Sequence, residues 1–545
     1  MRRFYQSANF EIVQLLLKTD KILAPMLILI TALLLLVTAL ALVILRFTRP
    51  DFRFSWLIAV GGTMLAWISV LLWQTAMPLS VALPSWQPTS LFSESPSFVA
   101  NGLSWPYALS LVTLAVALLL TASVREDFPN SLSWAGSLTL ITLGLLAVTA
   151  NNPLTLVLVW AALDITELLT ILRSVESPQQ SEGAVIAFST RAAGIVLLLL
   201  ADIVSIAAGK SMEFLSTPPQ AGLFLLAAAG LRLGVLPLHL PYTSESTLRR
   251  DFGTTLRLVS AASSLILLAR IPASSLASPF VPLLLILTAG AAIYGGWMWL
   301  RTPNELTGRP FLMIVIAGLA VASALRGASA GATAWGVALI LAGGALFLAS
   351  VQQVWLNRAL LIGAWSLSTL PFSLTASSWV NKVGGLWLIM PFYFAAQAML
   401  IAGLIRHALR PSTRPSLESQ PAWTKGIYPA GVGILLFVQL LLGFWGWDGS
   451  LQIGNILSGI AASLLTFGLL WATPRFAILN PVRAHWVQSA SGSRLDQLYQ
   501  SLWNIYRFFG RMSETISNTL EGESGIMWTL LFLALFVVLL TQRKP

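Results

Sequence analysis

Cysteine is absent from the chain. That excludes disulfides, cysteine-ligated iron–sulfur clusters and zinc–thiolate centres. Histidine is almost absent: His239, His407 and His485 are the three in 545 residues, which argues against a haem or copper site. No metal, cofactor or redox centre is expected. Charge is scarce as well. Asp, Glu, Lys and Arg make up 10% of the residues, where soluble domains carry about a quarter. The first 23 residues mix Arg2, Arg3, Glu11, Lys18, Asp20 and Lys21 and offer no small-residue cleavage site, so no removable signal is expected.

Apolar residues fill the space that charge leaves. They form 56% of the chain and fall in long runs, such as Ala24 to Leu45 and Met527 to Leu540. A run of about 20 apolar residues matches the roughly 30 Å hydrocarbon core at ~1.5 Å rise per residue. The sequence is that of an all-α integral membrane protein, and a soluble enzyme is excluded. Sixteen spans are predicted, near 25–46, 54–76, 105–124, 132–150, 153–172, 184–208, 221–240, 254–270, 279–300, 310–326, 330–352, 357–382, 384–407, 427–447, 451–473 and 525–541. The 310–326 and 357–382 stretches are the weakest of these assignments.

The net charge of +11 would raise the question of nucleic acid in a soluble protein. Here it reads as an orientation signal, with no nucleic-acid partner expected. Loops that follow odd-numbered spans hold 19 basic residues, and even-numbered loops hold only Lys210, Arg326 and Lys382. A miscounted span would scramble that split, so odd loops face the cytoplasm. Arg2, Arg3, Lys18 and Lys21 run against the rule. Arginine outnumbers lysine 26 to 6, which points to a GC-rich bacterial genome and to the bacterial plasma (inner) membrane.

Three segments fall outside the spans. Residues 1–24 form an amphipathic N-terminal segment. Residues 77–104 form a Pro- and Ser-rich external loop whose Trp86 and Trp105 suit headgroup depth. Within 481–524, Leu495, Leu498, Leu502, Ile505 and Phe509 recur at three- and four-residue spacing, punctuated by Arg494, Arg507 and Arg511. That spacing predicts an amphipathic helix lying along the membrane or a neighbouring subunit, before a last span within 525–545. The remaining chain divides into N-terminal spans (25–130), two five-helix stretches (131–275 and 276–410) and C-terminal spans (411–480).

An ionisable side chain at the bilayer centre costs about 2.5–3.5 kcal/mol or more, so such residues face protein or water. They cluster here between 164 and 257. Asp164 lies near the middle of the fifth span and Glu167 one turn nearer the cytoplasm. Arg191 and Asp202 lie in the sixth, Arg232 and His239 in the seventh, and Arg257 opens the eighth. Matching depths predict two buried ion pairs, Asp164–Arg232 and Glu167–Arg191. They serve either a proton path or a static clamp that fixes helix register. Pro237 and Pro371 fall within the seventh and twelfth spans and mark helix breaks there, a pattern associated with inverted repeats. Between 310 and 475, Lys382 stands nearly alone as a titratable group within a span.

With these residues laid out, the chain resembles the antiporter-like membrane subunits of respiratory complex I. That family also includes subunits of Mrp sodium/proton antiporters and membrane-bound hydrogenases. Phe98-Val-Ala-Asn-Gly-Leu-Ser104 is similar to the family's start of the third span, with Asn101 where an aspartate is common. Asn151-Asn-Pro-Leu-Thr-Leu-Val-Leu-Val-Trp160 resembles the start of the fifth, and Gly230-Leu-Arg-Leu-Gly-Val-Leu-Pro-Leu-His239 the broken seventh. Sixteen spans with an amphipathic helix before the last resemble the largest members. The lateral helix here, ~27 residues or ~40 Å, is shorter than theirs. The resemblance implies two inverted five-helix repeats, other membrane subunits as partners, and proton or ion translocation.

Departures from the family pattern narrow that expectation. The fifth-span glutamate position is Ala161, and the seventh-span lysine falls at Arg232. The eighth-span polar position falls on Leu256 or Arg257, and Leu339 and Gly343 stand where the eleventh span commonly has histidine and lysine. Lys382 matches the twelfth-span lysine only with an insertion after Pro371. A buried lysine gives up its proton readily, whereas arginine, with a pKa above ~12, stays charged. The expected function is therefore a subunit of a complex I-like or hydrogenase-like ion-translocating assembly, impaired in pumping and serving as scaffold or partial channel. It would have no catalytic centre of its own, even within a proton-translocating oxidoreductase. The alternative is an active proton- or Na⁺-translocating subunit of an Mrp-type antiporter or an inorganic-carbon uptake system. A quinone-binding enzyme subunit is a third reading, without sharp support.

Overall fold

The computed structural model describes residues 26–49, 52, 54–84, 95–125, 130–174, 178–210, 213–242, 250–351, 353–379, 387–410 and 416–472. Two compact units divide the chain, Met1–Leu479 and Asn480–Pro545. The second lies wholly outside the described residues, and with it the expected amphipathic helix and last span. The N-terminal segment 1–24, Trp86 and Lys382 also lie outside them.

Helices dominate because lipid offers the backbone no hydrogen-bond partners, so each spanning segment must satisfy its own. In chain order they are α1 (Met26–Thr48), α2 (Ser55–Ala76), α3 (Ser104–Thr121), α4 (Ser131–Thr149), α5 (Pro153–Ser174), α6 (Pro178–Ala207), α7 (Pro219–Arg232) and α8 (Arg250–Arg270). Then follow α9 (Val281–Arg301), α10 (Arg309–Leu325), α11 (Ser329–Leu348), the short α12 (Val354–Ala359) and α13 (Leu361–Ser366), α14 (Met390–Leu409), α15 (Ala422–Trp445) and α16 (Ile453–Ala472). Twelve described helices are long and apolar enough to cross a membrane.

Three more of the expected spans exist in reduced form. The 310–326 stretch is the 17-residue α10, about 26 Å long. The 221–240 stretch is helical only as far as Arg232, then turns through Gly234 at φ 74°. The 357–382 stretch is split between α12 and α13, and from Leu367 to Trp379 runs as turns, with Thr369 and Phe372 at φ 58° and 63°. The seventh and twelfth elements are interrupted, as the sequence suggested from Pro237 and Pro371, although not at the prolines themselves. Each sits five residues beyond a helix that has already ended. In each of the stretches 131–275 and 276–410 the fourth of five elements is the interrupted one. A π turn at Leu339–Gly343 inside α11 has no proline or polar residue to announce it.

The 77–104 loop also differs from its sequence reading. Leu79–Ala82 and Ser97–Ala100 pair antiparallel, Leu79 opposite Ala100, so the fold carries one small hairpin. Trp105 is not at a headgroup surface. It is buried in α3 and its Nε1 donates to the Val70 carbonyl at 2.9 Å.

Burial separates the helices into a centre and a rim. The spanning windows of α3 and α11 are 94% and 100% buried, whereas those of α6 and α16 are each 28% buried. Rim helices expose Leu33, Leu40, Leu464 and Phe467, side chains that suit acyl chains. With lipid as apolar as leucine, close packing rather than burial from water holds the centre together, and small residues permit it. A Cβ on Gly295 of α9 would lie 2.8 Å from the Val315 backbone nitrogen of α10. Hydroxyls in the core are silenced locally: Thr113 and Thr142 donate to carbonyls four residues back at 2.6 and 2.8 Å.

Candidate functional site: a buried cluster of carboxylates and guanidiniums

Asp164 and Glu167 stand three residues apart on α5, so they share one face. Three helices, α6, α7 and α8, converge on that face. Arg232 closes α7, where a cation complements the exposed carbonyls of a helix end. Its Nη1 and Nη2 donate to the two Asp164 carboxylate oxygens at 2.6 and 2.8 Å, a planar fork on a planar acceptor. Arg232 Nη1 also donates to the Arg191 carbonyl at 3.1 Å, and Nε to the Ser264 hydroxyl at 3.2 Å. The guanidinium lies 4.2 Å from the Trp160 ring centre, and Trp160 is itself held by its Nε1 donating to the Ser263 carbonyl at 3.2 Å.

Glu167 is bridged from both sides. Arg191 of α6 approaches its Oε2 at 2.5 Å, and Arg257 of α8 donates to its Oε1. Arg191 Nε lies 3.6 Å from Asp164 as well, so the two pairs form one network. Arg257 stacks 3.9 Å from the Tyr242 ring centre. All five charged side chains are at most 4% exposed. Two carboxylates face three guanidiniums, so the cluster carries a formal surplus of one positive charge.

The two pairings suggested by depth are thus present in the geometry, but as parts of a five-membered network. Arg257 as second partner of Glu167 was not foreseen, nor were Trp160, Tyr242 and Ser264. Neither was Gly194, where a Cβ would meet Arg232 Cγ at 2.7 Å. Only Arg257 carried a signal, standing at the start of the eighth span. Aromatic and hydroxyl partners of a buried guanidinium have no mark in an apolar sequence.

The remaining candidates are elsewhere. Asp202 lies eleven residues beyond Arg191 on α6, about 16 Å along the axis. It is buried and its Oδ2 has no hydrogen-bond partner among the described residues. His239 is only half buried, outside the cluster, with its Nδ1 2.8 Å from the Pro237 carbonyl. The expectation that spans beyond residue 310 hold almost no titratable group needs correction. His407 is buried at a ring-centre distance of 4.4 Å from Trp299, and Tyr393 is buried with its hydroxyl 2.6 Å from that of Thr288.

Further charges link the ends of the central helices. Arg125 pairs with Asp251, and Arg250 with Glu305 at 2.9 Å. Arg250 Nη1 also donates to the Phe347 and Ala349 carbonyls, each at 2.9 Å, at the end of α11. Among the described residues no three His, Cys, Asp or Glu side chains gather as a metal site.

No protein-family model and no curated protein sequence matches this chain. Solved structures do. A chain of the membrane-bound sulfane sulfur reductase, an archaeal respiratory membrane complex, matches with a TM-score of 0.62 at 15% identity, covering 93% of this chain and 99% of that one. A chain of the Mrp complex from Dietzia sp. DQ12-45-1b matches at 0.65 and 14% identity, covering 95% of this chain and 63% of that longer one. A chain of respiratory complex I from Thermus thermophilus, with bound aureothin, matches at 0.57 and 18% identity, covering 76% and 97%. The chain therefore shares its fold with these chains of membrane complexes, as a multi-pass membrane protein.

Proposed function

We propose that this chain is an antiporter-like subunit of a multi-subunit, ion-translocating membrane assembly of the bacterial inner membrane. In it the first proton-handling site has become a static clamp, and the chain serves as a scaffold or partial channel. The Asp164–Arg232 fork carries this reading. A proton path needs a group that alternates between charged and neutral forms near the working pH. Arginine does not, and its fork engages both oxygens of the Asp164 carboxylate. The surplus positive charge of the cluster also disfavours the arrival of another cation. Similarity of fold to chains of the sulfane sulfur reductase, the Mrp complex and complex I supports membrane subunits as partners. The two interrupted fourth elements support a pair of inverted repeats.

The test is ion flux through the full-length chain in proteoliposomes, with an imposed pH or Na⁺ gradient and an internal pH dye. The expected outcome is no gradient-driven proton movement above that of empty vesicles, and no change on Asp164→Asn. A flux that Asp164→Asn abolishes would overturn the clamp and establish active translocation. Purification of the tagged chain from its native membrane should bring down other membrane subunits. Recovery as a lone chain under mild detergent would count against the scaffold.

A further inference from the structure

Away from the cluster, at the opposite ends of α5 and α8, lies a cavity of about 310 Å³. It is bounded by the beginnings of α3, α5 and α11 and the ends of α8 and α10. All of these belong to the arginine-poor side of the bundle, the external side by the distribution of basic residues. Arg270, the last residue of α8, lines this cavity and is 8% exposed. Its Nη2 donates to the Val148 carbonyl at 2.6 Å and its guanidinium faces the Phe214 ring at 5.8 Å. Among the described residues no carboxylate lies within ion-pair distance of it. The three arginines of the Asp164–Glu167 cluster each have one, and the buried Arg309 resembles Arg270 in having none among the described residues.

A buried guanidinium without a counter-ion is costly, and the cost falls if an anion occupies the space beside it. The surroundings suit one. The α11 helix begins at Ser329, on the cavity wall, with no side-chain cap on its first turn, so its leading N–H groups and its dipole favour negative charge. The Asn151 side chain lines the same wall and makes no side-chain hydrogen bond among the described residues, whereas Asn101 is engaged in capping α3 at 3.1 Å. Glu213 also lines the cavity but is exposed, at its rim. The rest of the wall is apolar, including Leu103, Phe214 and Ile271.

We propose that this external cavity binds a small monovalent oxyanion whose planar carboxylate-type group is held in a fork by Arg270, with the α11 N-terminus and the Asn151 amide completing the site. The rim Glu213 opposes the anion and sets its affinity. Bicarbonate and acetate have this shape, and chloride, which cannot take a bidentate fork, is the weaker ligand.

Titration of the purified full-length chain in nanodiscs of neutral lipid, by calorimetry at constant ionic strength, tests the site. Sodium bicarbonate and sodium acetate are expected to bind saturably at least about tenfold more tightly than sodium chloride. Arg270→Gln should lose about tenfold or more, the loss of one charged hydrogen-bonded partner being about 1.4 kcal/mol or larger. Because Arg270 also holds Val148, a second variant leaves that contact alone: Asn151→Asp should weaken oxyanion binding at least tenfold at unchanged melting temperature. Glu213→Gln should tighten it several-fold. No saturable binding by the native chain, or equal binding by native and Asn151→Asp chains, would overturn the proposal. A Glu213→Gln variant that melts lower and binds no tighter would overturn it too, by making Glu213 the partner of Arg270. Nanodiscs containing an anionic phospholipid should leave acetate affinity unchanged. Competition by that lipid would assign the fork to a headgroup phosphate and overturn the free oxyanion.

Discussion

The two interrupted elements of this protein solve the same problem with opposite chemistry. Where α7 stops at Arg232, the broken end is held by full charges: the Asp164 fork, Arg191 and the Glu167 bridge. Where α13 stops at Ser366, the neighbours are neutral. Gln397 Nε2 donates to the Leu367 carbonyl and the Thr369 hydroxyl, both at 2.8 Å, and Gln439 Nε2 donates to the Ser366 hydroxyl at 2.5 Å. Thr375 turns back to the Ser366 carbonyl at 2.9 Å, and the Trp379 N–H finds Asn455 at 2.9 Å. In the second region the polar side chains take up backbone groups that a helix end exposes within lipid. In the first, the carbonyls at the end of α7 accept from the Leu233, Gly234 and Val235 N–H groups, and the charges anchor the Arg232 side chain instead. The partners, not the break itself, set the chemistry of each end.

The comparison is broken most severely at Arg232. Arg232→Ala leaves Asp164 buried without its fork, a change worth about 3–5 kcal/mol, and is expected to collapse the yield of folded protein in mild detergent. Asp164→Asn combined with Arg232→Gln removes both charges and should restore most of that yield. If the double change is as damaging as the single one, the clamp is not what holds this end. Gly194→Leu comes next. It drives a side chain into Arg232 Cγ, and overpacking of that kind costs about 1–3 kcal/mol. It should lower the melting temperature, and a neutral result would show that the fork tolerates displacement. The neutral region should respond least. Gln397→Leu removes two donors to buried acceptors at a cost of about 1–3 kcal/mol, visible as a modest fall in melting temperature at all pH values. A pH-dependent loss there would reveal a titrating partner and erase the contrast.

Much of the first region was legible in advance, because charge is so expensive in a membrane that each ionisable residue stands out. Asp164, Glu167, Arg191 and Arg232 were visible against leucine and alanine, and loop parity fixed their depths well enough to match partners. Arg257 stood in the same sequence, but its link to Glu167 depends on how far α8 begins inside the bundle. The second region was far less legible. Ser366, Thr369, Gln397 and Gln439 are individually unremarkable in a membrane helix, and only their convergence makes them a site. Trp105 was misplaced because an aromatic near a span end suits headgroups and a packed interior equally well.

Sequence alone settled that the chain is a multi-pass membrane protein and where most helices run, because apolar run length is matched to bilayer thickness with no tertiary information required. Only the tertiary structure decided that α7 ends at Arg232 rather than at Pro237, that three arginines share two carboxylates, and that Arg270 lines a cavity with no carboxylate among the described residues within ion-pair distance. Those outcomes depend on which side chains from distant segments meet, and in a medium that gives no direction to apolar surfaces, packing geometry alone makes that choice.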